Sequence, residues 1–336
     1  SDPQVFEAFR RMNEAMARSA LQRSAKWYSE TKRPKWRLFQ LAFVLLNLVG
    51  VANDEHEDRK NVELIFFPTG GGKTEAYLGV IAFTLLLRRL RGQTRADQGL
   101  GVAVLLRYTL RLLTLDQLGR AATLICALEL QRQAAPEVLG DARFAVGLWV
   151  GRSGTANTLE QVKKAILEYK NSASKNAPSP FPLPNCPWCD TPLTRDSLTL
   201  GAGGSSGARG QPSSPQPEGV VVGCADFQCA FSARKNREGL PVLFVDEQIY
   251  RELPSFVVAT VDKFAMMPWR GETGMLFGRA THREGSRFYG PMDSKPRAAR
   301  PLPEGLRPPE LIVQDELHLI SGPLGTMVGL YETAIE

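Results

Sequence analysis

The chain has 336 residues, 43% of them hydrophobic, with 41 Lys and Arg against 35 Asp and Glu for a net charge of +6. Such a composition excludes a disordered tail, a collagen-like repeat and a small disulfide scaffold. The positive balance is mild: it fits a polyanionic partner and equally an ordinary basic surface.

Residues 4–50 read as helical. Val5, Phe6, Phe9, Met12 and Met16 recur at spacings of three and four, and Pro34 separates this run from a second helix over 36–49. The most apolar stretch, 38–52, is 15 residues long and holds Gln40 and Asn47. A membrane span needs roughly 20 residues, so this stretch reads as a buried helix. No secretory signal opens the chain, and a cytoplasmic protein is expected.

From residue 61 the pattern changes. Residues 62–67 (VELIFF) form a short β-branched and aromatic run that predicts a buried strand. A glycine-rich turn and an apolar helix over 75–91 follow. Strands are predicted at 101–106, 144–150, 241–245, 255–260 and 310–313, with a helix at 114–132. This alternation predicts an α/β fold with a mostly parallel sheet and helices on both faces. Residues 61–170 and 236–336 would make that lobe, behind an N-terminal helical segment over 1–60. Two stretches break the rhythm. Residues 171–235 hold a Pro-rich run and the low-complexity segment 201–219, expected on exposed connections. Residues 270–309 read as an irregular basic loop, with seven Lys or Arg between 279 and 307 against Glu284, Asp293 and Glu304.

The strongest chemical signal is Pro68-Thr69-Gly70-Gly71-Gly72-Lys73-Thr74, between a predicted strand and a predicted helix. Consecutive glycines let backbone N–H groups turn inward around phosphate oxygens, and a helix N-terminus adds partial positive charge. Lys73 would reach the β- and γ-phosphates of ATP, and the Thr74 hydroxyl would bind Mg²⁺. Phe67 stands where the usual phosphate-loop pattern begins with Gly. Such a site needs carboxylates. Asp315-Glu316-Leu317-His318 ends one predicted strand and Asp246-Glu247 ends another. In the first pair Asp315 would hold Mg²⁺ through water and Glu316 would act as base toward the attacking water. His318 would link nucleotide state to a neighbouring lobe. The second pair lacks the His.

Four of the five cysteines cluster. Cys186-Pro187-Trp188-Cys189 and Cys224 with Cys229 supply four thiolates, which suit one tetrahedral Zn²⁺ in a structural site. Cys126 falls on a helix face and is expected in the core.

Gly72-Lys73-Thr74 followed by Asp315-Glu316-Leu317-His318 resembles the signature of superfamily 2 helicases. The resemblance implies a RecA-like first lobe and gives other residues roles. Gln40 resembles the upstream glutamine that reads adenine. Arg107 and Arg111 follow the second strand, Arg152 the third, and Thr260 and Lys263 the next, where nucleic-acid phosphates would be held. A closer resemblance is to the DrmA family of helicase subunits from bacterial DISARM anti-phage systems. It is carried by residues 39–43 (FQLAF), 67–77 (FPTGGGKTEAY), 107–117 (RYTLRLLTLDQ), 259–265 (ATVDKFA) and 314–331 (QDELHLISGPLGTMVGLY). This implies an ATP-dependent DNA translocase or helicase working beside a partner subunit, DrmB, and a DNA methyltransferase. The chain stops about twenty residues past Glu316. The second lobe of such motors, with its arginine fingers, is absent, so weak ATP binding and poor hydrolysis are expected of these residues alone. The other readings are a DNA-dependent ATPase switch that does not unwind, and a zinc-stapled DNA-binding module with a vestigial phosphate loop.

Overall fold

A computed structural model describes residues 2–24, 27–28, 32–67, 70–95, 97–108, 111–151, 155–174, 176–201, 219–265 and 267–316. Helix α1 (Pro3–Arg23) starts where the Asp2 carboxylate accepts the Gln4 N–H at 2.9 Å and Pro3 sets the first turn. Helix α2 (Leu38–Ala52) follows, then α3 (Lys73–Gly92), whose residues from Ala76 to Leu90 are almost all buried. Strand β1 (Val104–Tyr108) leads into α4 (Arg111–Ala134) and the single turn α5 (Pro136–Leu139). Strand β2 (Val146–Trp149) and α6 (Leu159–Asn171) come next. The hairpin strands β3 (Leu198–Gly201) and β4 (Gly219–Val222) belong to the cysteine-bearing insertion. The lobe resumes with β5 (Val242–Leu243), α7 (Asp246–Glu252), β6 (Phe256–Thr260) and α8 (Val261–Ala265). Short strands β7 (His282–Glu284), β8 (Arg287–Tyr289) and β9 (Arg300–Pro301) precede β10 (Leu311–Gln314).

The main sheet has the order β10-β1-β6-β2-β5, and every pairing in it is parallel. Its strands are apolar on both faces because both faces are covered. Val104, Leu106, Phe256 and Val258 point into the larger core, with α1, α3 and α4. Leu105, Val257, Ala259 and Trp149 point into a second core with α7, α8 and residues 270–309. The parallel α/β sheet with helices on both faces is therefore as expected.

Two expectations need correction. Residues 62–67 pair with no strand among the described residues, and Val62, Leu64 and Phe66 are 93%, 70% and 93% exposed. A β-prone sequence becomes a strand only beside a partner that takes its backbone groups. Here a cleft separates the segment from β10, the edge of the sheet. Second, residues 270–309 are not an irregular loop. β7 pairs antiparallel with β8 and β9, and Met275, Leu276, Phe288 and Leu306 fill the second core. The cysteine insertion packs firmly on the lobe. Trp188 packs edge-on against Phe231, and Arg18 of α1 lies 5.2 Å from the Trp188 ring centre. The Thr123 hydroxyl of α4 donates to the Pro187 carbonyl at 2.9 Å, and the cysteines share the larger core.

Buried Arg88 of α3 delivers β10 to its place. Its guanidinium donates to the carbonyls of Leu100, Arg307 and Pro308 and lies 3.6 Å from Glu310. Among the described residues no helix is long and apolar enough to cross a membrane.

Candidate functional site

The site forms at the carboxyl ends of the parallel strands, where open α/β sheets take their ligands. Gly70 has φ +80° and Gly72 φ +94°, a conformation that side-chain-bearing residues avoid. Gly72 is the N-cap of α3, so the glycine turn feeds directly into the helix start that Lys73 opens. A β-carbon on Gly70 would meet nothing within 4 Å, so open space faces it. Lys73 makes no ion pair among the described residues. It borders a cleft of about 1070 Å³ that is also lined by Tyr77, Gln314, Asp315 and Glu316. Thr69 and His318 lie outside the described residues.

Asp315 follows β10, and its N–H donates to the Arg107 carbonyl at 3.1 Å, continuing the ladder to β1. Its Oδ1 accepts the Glu316 N–H at 2.8 Å. Its Oδ2 lies 3.0 Å from the hydroxyls of both Tyr77 and Tyr108, which are 2.5 Å apart. Burial first, with the Asp315 charge adding to it, pushes both phenols above their usual range, so both keep their protons. Glu316 has φ +52°, a strained backbone of the kind that gathers at functional sites. Thus Lys73, Asp315 and Glu316 come from two elements distant in sequence and meet beside one cleft, with Thr74 next to Lys73 on α3. The residues present fit ATP with Mg²⁺: glycines of positive φ at a helix start, an ammonium without an ion pair among the described residues, and two carboxylates.

The tyrosines were not legible as site residues in the sequence. One signal was there for Tyr77: it lies four residues after Lys73, hence one turn along the same face of α3.

Gln40 lies against the glycine loop. It is 6% exposed; its Nε2 donates to the Gly72 carbonyl at 2.9 Å, and its Oε1 accepts the Arg37 N–H at 2.9 Å. Arg37 donates to the Gly71 carbonyl at 2.6 Å. The pair braces the glycine loop, with one N–H and the oxygen of the Gln40 amide engaged. Phe67 stacks on Phe39 at 3.9 Å between ring centres, 8° from parallel, which anchors the entry to the loop.

The other carboxylate pair is structural. Asp246 is 1% exposed and accepts a short hydrogen bond from Lys263, while burial pushes its carboxyl up against that pull. Glu247 accepts the Leu159 N–H at 2.8 Å, capping α6. Neither borders the cleft of Lys73.

Of the expected phosphate contacts, Arg107, Thr260 and Lys263 lie at or just past the carboxyl ends of the neighbouring strands β1 and β6, and all three are buried. The register sets Tyr108 beside Thr260 and Arg107 beside Ala259. Arg107 is buried with its guanidinium 5.0 Å from the Phe264 ring centre, and Lys263 is buried in its pair with Asp246. The Thr260 hydroxyl is buried with no hydrogen-bond partner among the described residues. Arg152 and the Arg111 side chain lie outside what is described.

The four cysteines meet as expected. Their sulfurs all lie within 4.8 Å of one another, with Cys189 and Cys224 at 3.4 Å and Cys186 and Cys229 at 4.0 Å. A tetrahedral Zn²⁺ with bonds of about 2.3 Å sets sulfurs about 3.8 Å apart, so the cluster fits a metal ion such as zinc. The Asp226 and Phe231 N–H groups point at the sulfurs of Cys224 and Cys229 at 3.4 and 3.5 Å, as donors to thiolates would. Without a cation the sulfurs cannot all ionise. The Cys229 thiol is held down at about 6 by the hydrogen bond from Cys186, which is itself driven up by that bond. Burial pushes Cys224 up to about 12. Cys126 is fully buried in the core of α4.

No family model matches the chain. It is 39% identical over 366 aligned residues to the DISARM protein DrmA of Bacillus paralicheniformis, an alignment that takes in 99% of this chain. Along nearly its whole length the chain is therefore similar to a DISARM protein DrmA, of which it spans 30%.

Proposed function

We propose that the chain is the first motor lobe of an ATP-dependent DNA translocase or helicase that acts in DISARM anti-phage defence. The observation that carries this reading is the cleft that Lys73, just after glycines of positive φ, shares with Asp315 and Glu316. The likeness to a DrmA protein supports the defence setting and partner subunits of the same system. Gly70, Gly71 and Gly72 would hold the phosphates through backbone N–H groups, and Lys73 would add its charge to them. Thr74 and Asp315 would hold Mg²⁺, which neutralises charge on the phosphates when bound. Glu316 would take the proton of the attacking water. The cysteine cluster would hold Zn²⁺ and fasten the insertion to α1 and α4.

Arg107, Thr260 and Lys263 shape the strand ends from within rather than gripping phosphate directly. DNA contact falls instead to exposed cations such as Lys295, Arg297 and Arg300, and to Arg111 and Arg152. A DNA-dependent ATPase that binds without unwinding shares every one of these features.

The test is ATP hydrolysis by the intact protein with and without single-stranded DNA, beside a strand-displacement assay. Hydrolysis stimulated by DNA is expected. Salt-sensitive DNA binding with no hydrolysis would leave only the zinc-stapled binding module.

A further inference from the structure

The Tyr77–Tyr108–Asp315 cluster has more order than an ordinary strand end requires. Tyr77 comes from α3, one turn past Lys73; Tyr108 ends β1; Asp315 follows β10. The hydroxyls are 4% and 1% exposed by residue and meet the same carboxylate oxygen at 3.0 Å. Three short oxygen contacts share two hydroxyl protons. With the carboxylate ionised, one tyrosine donates to the other and the second donates to Asp315, or both donate to Asp315. Tyr77 has a further acceptor in Gln117 Oε1 of α4 at 3.3 Å. Asp315 itself follows β10, which among the described residues is an edge strand beside β1. Among the described residues no other hydrogen bond reaches Oδ2.

We propose that Tyr77 and Tyr108 are positioning residues for a divalent cation bound with nucleotide: their hydroxyls hold the Asp315 carboxylate in the one orientation that accepts the metal. This rests on the nucleotide reading above. A carboxylate on a free rotor must be ordered each time a cation binds, and prior ordering by buried donors removes that cost. Groups that orient metal ligands this way are worth about 10- to 100-fold in metal affinity. The arrangement also gives the phosphate-loop helix, through Tyr77, and the β1–α4 connection, through Tyr108 and Gln117, a mechanical hold on the metal site.

The experiment uses the intact protein with Tyr77→Phe, Tyr108→Phe and the double variant. Each keeps the ring and loses only the oxygen. Mn²⁺ is titrated by electron paramagnetic resonance with a non-hydrolysable ATP analogue present, and analogue affinity is measured separately without metal. Melting temperatures are recorded alongside. Each single variant should raise the half-saturating Mn²⁺ concentration about 10-fold or more and leave metal-free analogue affinity unchanged. The double variant should go little further, since the two hydroxyls act as one unit. Wild-type metal dependence in whichever of the variants folds, even with a lowered melting temperature, would reduce the tyrosines to packing and overturn the proposal. Lys73→Ala separates this from the reading beneath it, because it should lose analogue with or without metal. If Lys73→Ala binds as wild type does, or wild type binds no analogue, the nucleotide reading itself falls.

Discussion

Gly72→Ala tests the phosphate loop's geometry by stability alone. Gly72 sits at φ +94°, and an added β-carbon would lie 2.6 Å from Gln40 Nε2. Two costs follow. The left-handed conformation costs an L-residue about 1–2 kcal/mol. The Gln40 amide must also withdraw, which breaks its hydrogen bond to the Gly72 carbonyl at a cost of about 1 kcal/mol. Gly72→Ala should therefore destabilise the chain by about 2–3 kcal/mol. In a Gln40→Ala background the second cost is already spent, and the same substitution should cost only about 1–2 kcal/mol. Urea unfolding of the four chains of this double-mutant cycle measures a coupling of about 1 kcal/mol. Equal cost in both backgrounds would refute the brace between Gln40 and the loop. A Gly72→Ala chain within about 0.5 kcal/mol of wild type would refute the left-handed cap itself.

Purified protein should carry one zinc per chain, and Cys189→Ser should lower the melting temperature of the whole lobe, because the insertion is packed on α1 and α4; metal analysis with calorimetry checks both, and an unchanged melting temperature would show an independent knuckle. Lys263→Met should destabilise by about 3–5 kcal/mol by stranding Asp246, with Lys263→Met/Asp246→Leu recovering most of the loss in chemical denaturation; weakened DNA binding without lost stability would restore Lys263 as a phosphate contact. The Arg10 hydrogen bond, helped by Arg11, holds Glu7 down at about 2 from an ordinary 4.5. Its contribution is therefore present above about pH 4.5 and is lost as pH falls toward 2, so Glu7→Gln should flatten that part of the stability–pH curve, by no more than about 1 kcal/mol for a surface pair.

Much of this was legible in the sequence. The order of elements, the parallel sheet, the glycine turn before α3 and the cysteine cluster all follow from local pattern and spacing. Where the reading failed, the cause was tertiary. Residues 62–67 have strand composition, yet composition cannot say whether a neighbouring strand is present. Arg107 and Lys263 look like surface cations by their place at or after strands, but Arg107 lies over Phe264 and Lys263 pairs with buried Asp246. The contact of Gln40 with Gly72, 32 residues away, had no local signal either. The apolar residues of 270–309 were masked by its charges, so its small sheet went unseen. The two tyrosines at Asp315 are 238 and 207 residues away from it in the chain, beyond the reach of any spacing argument.

The central claim is that Lys73, Asp315 and Glu316 make one nucleotide site. It is tested most directly by ATP binding and turnover in intact protein carrying Lys73→Ala or Glu316→Gln. Lys73→Ala should lose nucleotide binding, since the charge on the phosphates goes. Glu316→Gln should bind ATP as wild type does and lose turnover by about 100-fold or more, since only proton removal from water suffers. Wild-type turnover by Glu316→Gln, with the loss appearing in Glu247→Gln instead, would contradict the account.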